Sequence, residues 1–421
     1  MAYEEITALL GGWPGFVLVG VTREPAPAPD RPARIVLDLA PAPDAVRHCS
    51  RCGEAVAAVH EVTPRLVRDL PILDADTWLR VPRARLACPR CGPTVEQVPW
   101  LDRYARMTTR FAESVARLCQ VLPIKHVAEW FRLGWDTVRQ IDARSLAARL
   151  GPVTAASLAG VRTVALDEFA LHRGQRYATV ALEPETRRVL WVGLGRSRAD
   201  VRPFFELLGP EGRAGLEAVV MDMNGAFETE VRAQCPHAAI VYDLFHVVAK
   251  YGAEVIDRVR VDETNRISRA APDNPRTTAA RRVMKGTRWL LLRNRENLRR
   301  PADRVRLREL LATNQTLFTV YVLKDDLKRL WEYRYPGAAR RFWADWYRRA
   351  LESGIPALVR FARRLEPYLP GILAHCRWPL HTSVLEGVNN KIKVLKRMAY
   401  GYRDDDYFFL KIRAAFPGIP G

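Results

Sequence analysis

The chain has 421 residues, 48% of them hydrophobic, which is enough to bury a substantial core and to divide into two or three folded units. Its net charge of +19 and pI near 10.0 make an anionic polymer the default partner, with nucleic acid the first candidate. No apolar run approaches the roughly 20 residues that span a bilayer, and the start MAYEEITALL lacks a cationic region ahead of an apolar core. We therefore expect a soluble, cytoplasmic protein without a membrane partner.

Residues 1–45 end in PAPAPDRPARIVLDLAPAP, whose prolines oppose helix and favour extended connections, and read as an arm and Pro-rich linker. Residues 46–102 contain CSRC (Cys49, Cys52) and CPRC (Cys88, Cys91), each followed directly by glycine. Two CxxCG knuckles suit tetrahedral zinc, since the tight turns aim paired thiolates at one ion and the second knuckle closes the site. A closed four-thiolate site leaves no position for water, so this zinc is structural. A redox pair or two disulfides is the alternative, disfavoured in a reducing compartment. His48 and His60 could compete as ligands but are not expected to, and Cys119, Cys235 and Cys376 read as core residues.

Residues 103–158 are helical, and LPIKHVAEWFRLGWDTVRQIDARSL within them has the form of a helix-turn-helix. The first helix runs through Phe131, the turn holds Leu133 and Gly134, and Asp136 can cap the second helix. Thr137, Arg139 and Gln140 then lie in its opening turn, where recognition helices reach base edges. A plain helical hairpin is the alternative.

From 159 to 248 the pattern changes to short apolar runs, RTVALDEFA, RYATVALE, RVLWVGL, LEAVVMD and AAIVYD, with EPET at 183–186 a plausible hairpin turn. Strands joined first by turns and then by helices predict a mixed sheet in an α/β layer fold. Residues 249–378 show no strand pattern and read as an all-helical insertion, after which the sheet domain resumes over 379–421. The insertion is strongly basic: residues 251–350 hold 24 Lys and Arg against 12 Asp and Glu. Within Arg281–Arg300, which includes Arg288 and Arg293, eight cations accompany one acid; the span is either a solvated face or a phosphate-contacting one.

Two acids interrupt runs that should be buried, Asp167 in VALDEFA and Asp222 in VVMDMNG. A carboxylate in or at the end of a buried strand is costly without a cation or hydrogen bonds, so both are candidate metal ligands, with capping or salt bridging the alternative. Alternation leaves open whether Asp167 or Glu168 faces the site. A third acid stands in HTSVLEGVNNKIKVLKRM, residues 381–398. On a helical wheel Leu385, Val388, Ile392, Leu395 and Ala399 share a core arc, while Glu386, Asn389, Asn390, Lys393 and Arg397 fall within about 100° of one another on the other side. Such a face could present Glu386 to a metal while Asn390, Lys393, Lys396 and Arg397 hold phosphate oxygens. Three convergent carboxylates could hold two Mg²⁺ (or Mn²⁺) ions and support in-line displacement at phosphorus.

The two knuckles, WDTVRQID, ALDEFALHRGQRYATVALE, VVMDMNGAF, VYDLFHVV, GTRWLLLRN and LEGVNNKIKVLKRMAYGY together resemble bacterial insertion-sequence transposases of the ISL-three family. That resemblance, which covers nearly everything from Cys49 onward, implies a ribonuclease H-like catalytic domain with an Asp, Asp, Glu triad and a helical insertion before the Glu. The matching positions are Asp167, Asp222 and Glu386, with Asp167 bridging both metals. It implies double-stranded DNA partners, element ends and target, and action as a homodimer or larger assembly. It also draws attention to Asp243 and His246 in YDLFH, as support of the site or a DNA contact; a helix cap with a histidine one turn later is the alternative. A DNA-binding regulator that no longer cuts, and a structure-selective nuclease without strand transfer, are the rival functions.

Overall fold

Alternation of apolar and polar residues over two long stretches organises the N-terminal part of the chain. In the computed structural model, which describes residues 3–419 except 27, 30, 173–175, 271–286, 294–296 and 381–382 and omits the side chains of 4, 270 and 383–385, the chain forms two compact units, Met1–Arg149 and Leu150–Gly421. Each is described separately.

The first unit holds α1 (Tyr3–Leu9), β1 (Phe16–Glu24), β2 (Arg34–Pro41), β3 (His48–Cys49), β4 (Val59–Ile72), β5 (Ala75–Cys88) and β6 (Gly92–Gln97), followed by α2 (Thr109–Leu118), α3 (Ile124–Phe131) and α4 (Trp135–Leu150). The sheet runs β1-β2-β5-β6-β3, with β4 also paired to β5. Strand β5 is its spine: it pairs in parallel with β2 through Leu37 and Leu79, and antiparallel with β4 and with β6.

Residues 1–45 are therefore not an arm. They contribute a helix and two strands, and Trp13, Phe16, Leu18, Leu37 and Leu39 pack in one core with Val67, Leu79 and Val81. The prolines misled because they fall in the connection after β1 and at the end of β2, where no ladder N–H is needed, and leave IVLDLA free to pair. Buried Asp69 ties this segment to the helices, accepting from Trp13 Nε1 (3.0 Å), Thr108 Oγ1 (2.6 Å) and Arg110 Nε (2.8 Å). Burial alone would raise its pKa, but the Arg110 and Thr108 bonds outweigh it and hold the carboxyl below its ordinary range.

Helices α2 to α4 surround Phe111, Val115, Cys119, Val127, Phe131 and Val138. The turn between α3 and α4 is made by Arg132, in the left-handed region at φ 54°, rather than by Gly134. A side chain there is unfavourable, and Asp76 compensates: it accepts from Arg132 Nε at 3.0 Å and from Arg68 at 2.7 Å, while Arg68 also donates to the Phe131 carbonyl at 3.0 Å. Because α4 starts at Trp135, Asp136 is not its cap; it lies in the first turn, where its charge still favours the helix dipole.

The second unit is built on a five-stranded mixed sheet in the order β11-β10-β7-β8-β9, from β7 (Thr163–Ala170), β8 (Tyr177–Glu183), β9 (Arg188–Leu194), β10 (Ala218–Met221) and β11 (Ala239–Tyr242). The first three strands are antiparallel, with the expected hairpin after Glu183, and β10 and β11 add in parallel beyond β7. Helix α5 (Arg198–Gly215), interrupted at Gly209, and α6 (Gly225–Gln234) make the crossovers. After α7 (Leu244–Tyr251) the described residues up to Arg377 are helical or irregular: α8 (Asp257–Ala270), α9 (Arg288–Leu292), α10 (Pro301–Thr313), α11 (Gln315–Arg329), α12 (Pro336–Glu352), α13 (Pro356–Leu365) and α14 (Leu369–Ala374). Gly371 lets α14 lie on β11, since a Cβ there would sit 2.4 Å from the Tyr242 ring.

Helices α15 (Ser383–Met398) and α16 (Asp405–Ala415) close the chain. The two sheet faces have different covers. Val164, Leu166, Val219 and Met221 pack with α5, α6 and the insertion, whereas Ala165, Phe169, Val180, Val220 and Val241 pack with Val388, Ile392, Phe408 and Ile412 of α15 and α16.

Candidate active site and zinc centre

Cys49 ends β3 and Cys88 ends β5, and each knuckle closes on a glycine in the left-handed region, Gly53 at φ 74° and Gly92 at φ 69°. The Sγ atoms of Cys49, Cys52, Cys88 and Cys91 all lie within 4.8 Å of one another, the sole group of three or more potential ligands so gathered among the described residues. Burial raises the Cys49 thiol, but the amides of Arg51 and Cys52 outweigh it and bring it below its ordinary value; the Glu54 amide lowers Cys52, yet burial and the neighbouring thiols push it up. Four thiols this close cannot share several negative charges without a cation, and the donor set is that of closed structural zinc. His48 is exposed with Nδ1 3.0 Å from the Gly53 carbonyl oxygen, and neither it nor His60 joins the cluster. Of the remaining cysteines, Cys119 and Cys235 are core residues and Cys376 is half-buried.

In the second unit three acids come level just beyond the parallel pairing of β7, β10 and β11, Asp167 within β7 and Asp222 and Asp243 directly after β10 and β11. β7 and β10 pair Ala165 with Val220, so continuing that register by two residues brings Asp222 beside Asp167; β10 and β11 pair Met221 with Tyr242, so Asp243 follows in line. Crevices at strand carboxyl ends are where open α/β sheets bind ligands. Alternation then separates the neighbours in LDEF. Asp167 shares the Ala165 and Phe169 face toward α15, and Glu168 turns the other way, accepting from Asn224 Nδ2 at 3.0 Å and from Arg196 at 3.3 Å.

Asp167 is buried, accepting from the Glu168 amide (2.8 Å) and from Asn389 Nδ2 of α15 (2.6 Å). Desolvation pushes its pKa up to about 6; the Glu168 amide and His246 oppose this, while Asp222 and Glu168 reinforce it. Asp222 is also raised, by burial and then by Glu168, with His246 and Lys250 acting against. Asp243 caps α7 through the Phe245 amide (2.7 Å) and holds His246 Nδ1 at 3.1 Å. That bond, opposed by burial and aided by the charges of Asp243, Asp167 and Asp222, raises the His246 pKa. The cap and the neighbourhood of the acids are thus properties of the same pair. Carboxylates that resist ionisation side by side form an all-oxygen donor set, which fits a hard divalent cation.

Glu386 is exposed in the first turn of α15. It does not join Asp167 and Asp222 in a cluster with all ligand atoms within 4.8 Å, and the link from α15 to the strand acids is Asn389, one turn further on. Asn389 is half-buried rather than on an outward face. It follows Leu385 by four residues, about 40° on the wheel, which sets it at the flank of the core arc. Sequence reading missed its role, although that position was the available signal. Asn390, Lys393 and Arg397 are exposed, and Lys396 donates to the Ala170 carbonyl at 3.3 Å.

Of the helix-turn-helix candidates, Gln140 is exposed and Thr137 and Arg139 are half-buried. Arg288 pairs with Asp257 at 2.7 Å, so it is engaged within the protein, and exposed Arg293 lies over the Trp289 ring at 5.4 Å. Much of the basic span around them, 281–286 and 294–296, lies outside the described residues.

Acids level on adjacent strands beneath a basic helix, with a zinc ribbon and helix-turn-helix in the other unit, define a DNA-processing enzyme. Residues 164–412 match a family profile described as a transposase, residues 96–146 the helix-turn-helix domain of transposase family ISL3, and residues 45–91 the zinc finger of the IS204/IS1001/IS1096/IS1165 transposases. The chain belongs to the ISL3 family of transposases, DNA-binding enzymes that catalyse strand cleavage and strand transfer. It is 52% identical over 99% of both chains to the transposase for insertion sequence element IS1001 of Bordetella parapertussis. It is 29% identical to the transposase for IS1557 of Mycobacterium tuberculosis, over 92% of this chain and 91% of that one. No helix among the described residues is long and apolar enough to cross a membrane.

Proposed function

We propose that Asp167, Asp222 and Glu386 are the catalytic carboxylates of a ribonuclease H-like domain acting on double-stranded element ends and target DNA in the bacterial cytoplasm. The observation that carries this is the shared level of Asp167 in β7 and Asp222 just after β10, joined to the helix of Glu386 by the Asn389 bond. The mixed sheet with two antiparallel strands on one side of β7 and two parallel ones on the other supports the fold. The three acids would hold two Mg²⁺ or Mn²⁺ ions, which when bound activate the attacking oxygen and stabilise the leaving one. Asp167 would be shared by both ions, with Asp222 and Glu386 holding one each. Cleavage breaks a P–O3′ bond by water attack, and the freed 3′ hydroxyl then displaces a 3′ oxygen in the target. Lys393, Lys396, Arg397 and Asn390 contact phosphate along α15, and exposed Arg293 follows flanking or target DNA, for which Arg288 would first have to leave Asp257. Asp243 holds His246 beside the acids, and their bond favours the protonated ring. Two ends must be processed together, so a homodimer or larger assembly is the working form. A gel assay with labelled ends, target plasmid and Mg²⁺ tests this reading: transferred joints support it, whereas cut ends alone or binding without a break replace it with a nuclease or a regulator.

Thr137, Arg139 and Gln140 are the base-reading candidates of α4. Replacing Gln140 with Ala is expected to narrow the preference for true ends over scrambled DNA by about 1–3 kcal/mol, with non-specific binding unchanged. Equal loss on both DNAs, measured by competition binding, would remove Gln140 from the reading surface.

Acid should also weaken metal binding. Asp167 titrates near 6, above the ordinary carboxylate value of about 3.9, so the folded protein takes up a proton as the pH falls through 6 that the unfolded chain binds only further down. The metal-free fold thus gains stability from this group as the pH falls from about 6 to 4, while cation binding, which needs the ionised form, weakens about tenfold per unit below 6. Mn²⁺ titrations at pH 5 and 7 check this, and equal affinities would contradict it.

A further inference from the structure

The carboxamide of Asn389 is used on one side only. Its Nδ2 donates to Asp167 Oδ2 at 2.6 Å, while its Oδ1 is buried with no hydrogen-bond partner among the described residues. Leaving a buried amide oxygen unsatisfied is costly, and two classes of group could relieve it: a donor, or a cation that prefers oxygen ligands. The neighbours favour the cation. Asp167, against which Asn389 rests, is a buried acid with Asp222 at the same level beyond the next strand. A neutral carbonyl-type oxygen adds a ligand to such a site without adding another negative charge. Asn389 also stands one turn beyond Glu386 on the same helix, so the bond that orients Asp167 simultaneously sets the rotation and depth of α15 at that turn.

We propose that Asn389 is a positioning residue and an additional neutral oxygen ligand of the divalent-metal site: its nitrogen registers α15 on Asp167, and its buried oxygen is reserved for the cation. This rests on the reading of Asp167 as a metal ligand.

The test is Mn²⁺ binding to the full-length, zinc-loaded protein, followed by electron paramagnetic resonance, with unfolding temperature measured in parallel. Wild type is compared with Asn389→Ala, Asn389→Asp and Asp167→Asn. Asn389→Ala is expected to weaken Mn²⁺ about 10- to 100-fold, and Asn389→Asp, which restores an oxygen at the same reach, to recover most of the loss. Unchanged affinity in Asn389→Ala, with Asp167→Asn weakened, overturns this inference alone. Unchanged affinity in Asp167→Asn overturns the metal-site reading beneath it. A loss in both Asn389 variants that tracks a lowered unfolding temperature reduces Asn389 to a packing residue, again against the proposal. Should Asn389→Ala not fold, Asn389→Gln, which keeps both amide groups one methylene out of register, replaces it with the same expected loss.

Discussion

Replacing Asp167 with Asn is expected to abolish both strand cleavage and strand transfer while leaving binding to the element ends intact. Both steps would use the same pair of ions, and Asp167 is the acid placed to be shared, between Asp222 beyond the next strand and α15 over the face toward which Asp167 points. Losing that ligand should cost about 10³-fold or more in rate, several kcal/mol of transition-state stabilisation. Misfolding would not explain such a loss. The Asp167 pKa near 6 means that its ionised form is disfavoured in the folded protein, and the neutral isostere removes that penalty. At pH 7 without added divalent metal the variant should be more stable than wild type, by up to about 3 kcal/mol. Its single amide oxygen can accept from the Glu168 amide or from Asn389 but not from both, which offsets part of that gain. A variant that cuts at the wild-type rate would refute the assignment of the triad, and one that melts early would refute the account of the buried charge.

Cys88→Ser is expected to strip the zinc and with it the recognition of element ends. Cys88 is the last residue of β5, the strand that joins β2, β4 and β6 into one sheet, and its partners Cys49 and Cys52 are otherwise held to it by the short β3–β6 pairing, the Ser50 amide bond to the Val95 carbonyl and the Arg90–Glu54 ion pair. Structural zinc in comparable small sites is worth about 10–16 kcal/mol of apparent binding energy, far more than a two-residue strand can replace. Metal analysis should fall from one zinc per chain to a small fraction. Affinity for end DNA should drop at least about tenfold, since the helix-turn-helix belongs to the same unit. Full zinc content together with unaltered end binding would show that three thiolates suffice and that the fourth is dispensable.

Much of this molecule could be read from local pattern. The CxxCG pairs specify their own turns and chemistry, so the zinc centre needed only the two knuckles to meet. Asp167 and Asp222 stood out because burial of a strand makes an acid conspicuous, and the apolar arc of α15 located Val388 and Ile392 in the core. The family resemblance rested on the same short motifs, and the profile matches and relatives agree with it.

What the pattern did not carry depends on pairing between distant segments. The proline-rich start appeared as a linker because local propensity speaks against regular structure there, yet β2 is stabilised by a parallel partner some 40 residues away, through backbone bonds that composition does not encode. The choice between Asp167 and Glu168 was undetermined while both faces of β7 were apolar, and was made by which helix covers which face. The site itself is of this kind. Asn389 and Asp167 are 222 positions apart, and their hydrogen bond exists because α15 packs on the sheet at one depth and rotation. Residue chemistry belongs to the sequence, but the distances that turn it into a reaction centre are set by tertiary packing, since only packing fixes both partners of a long-range contact at once.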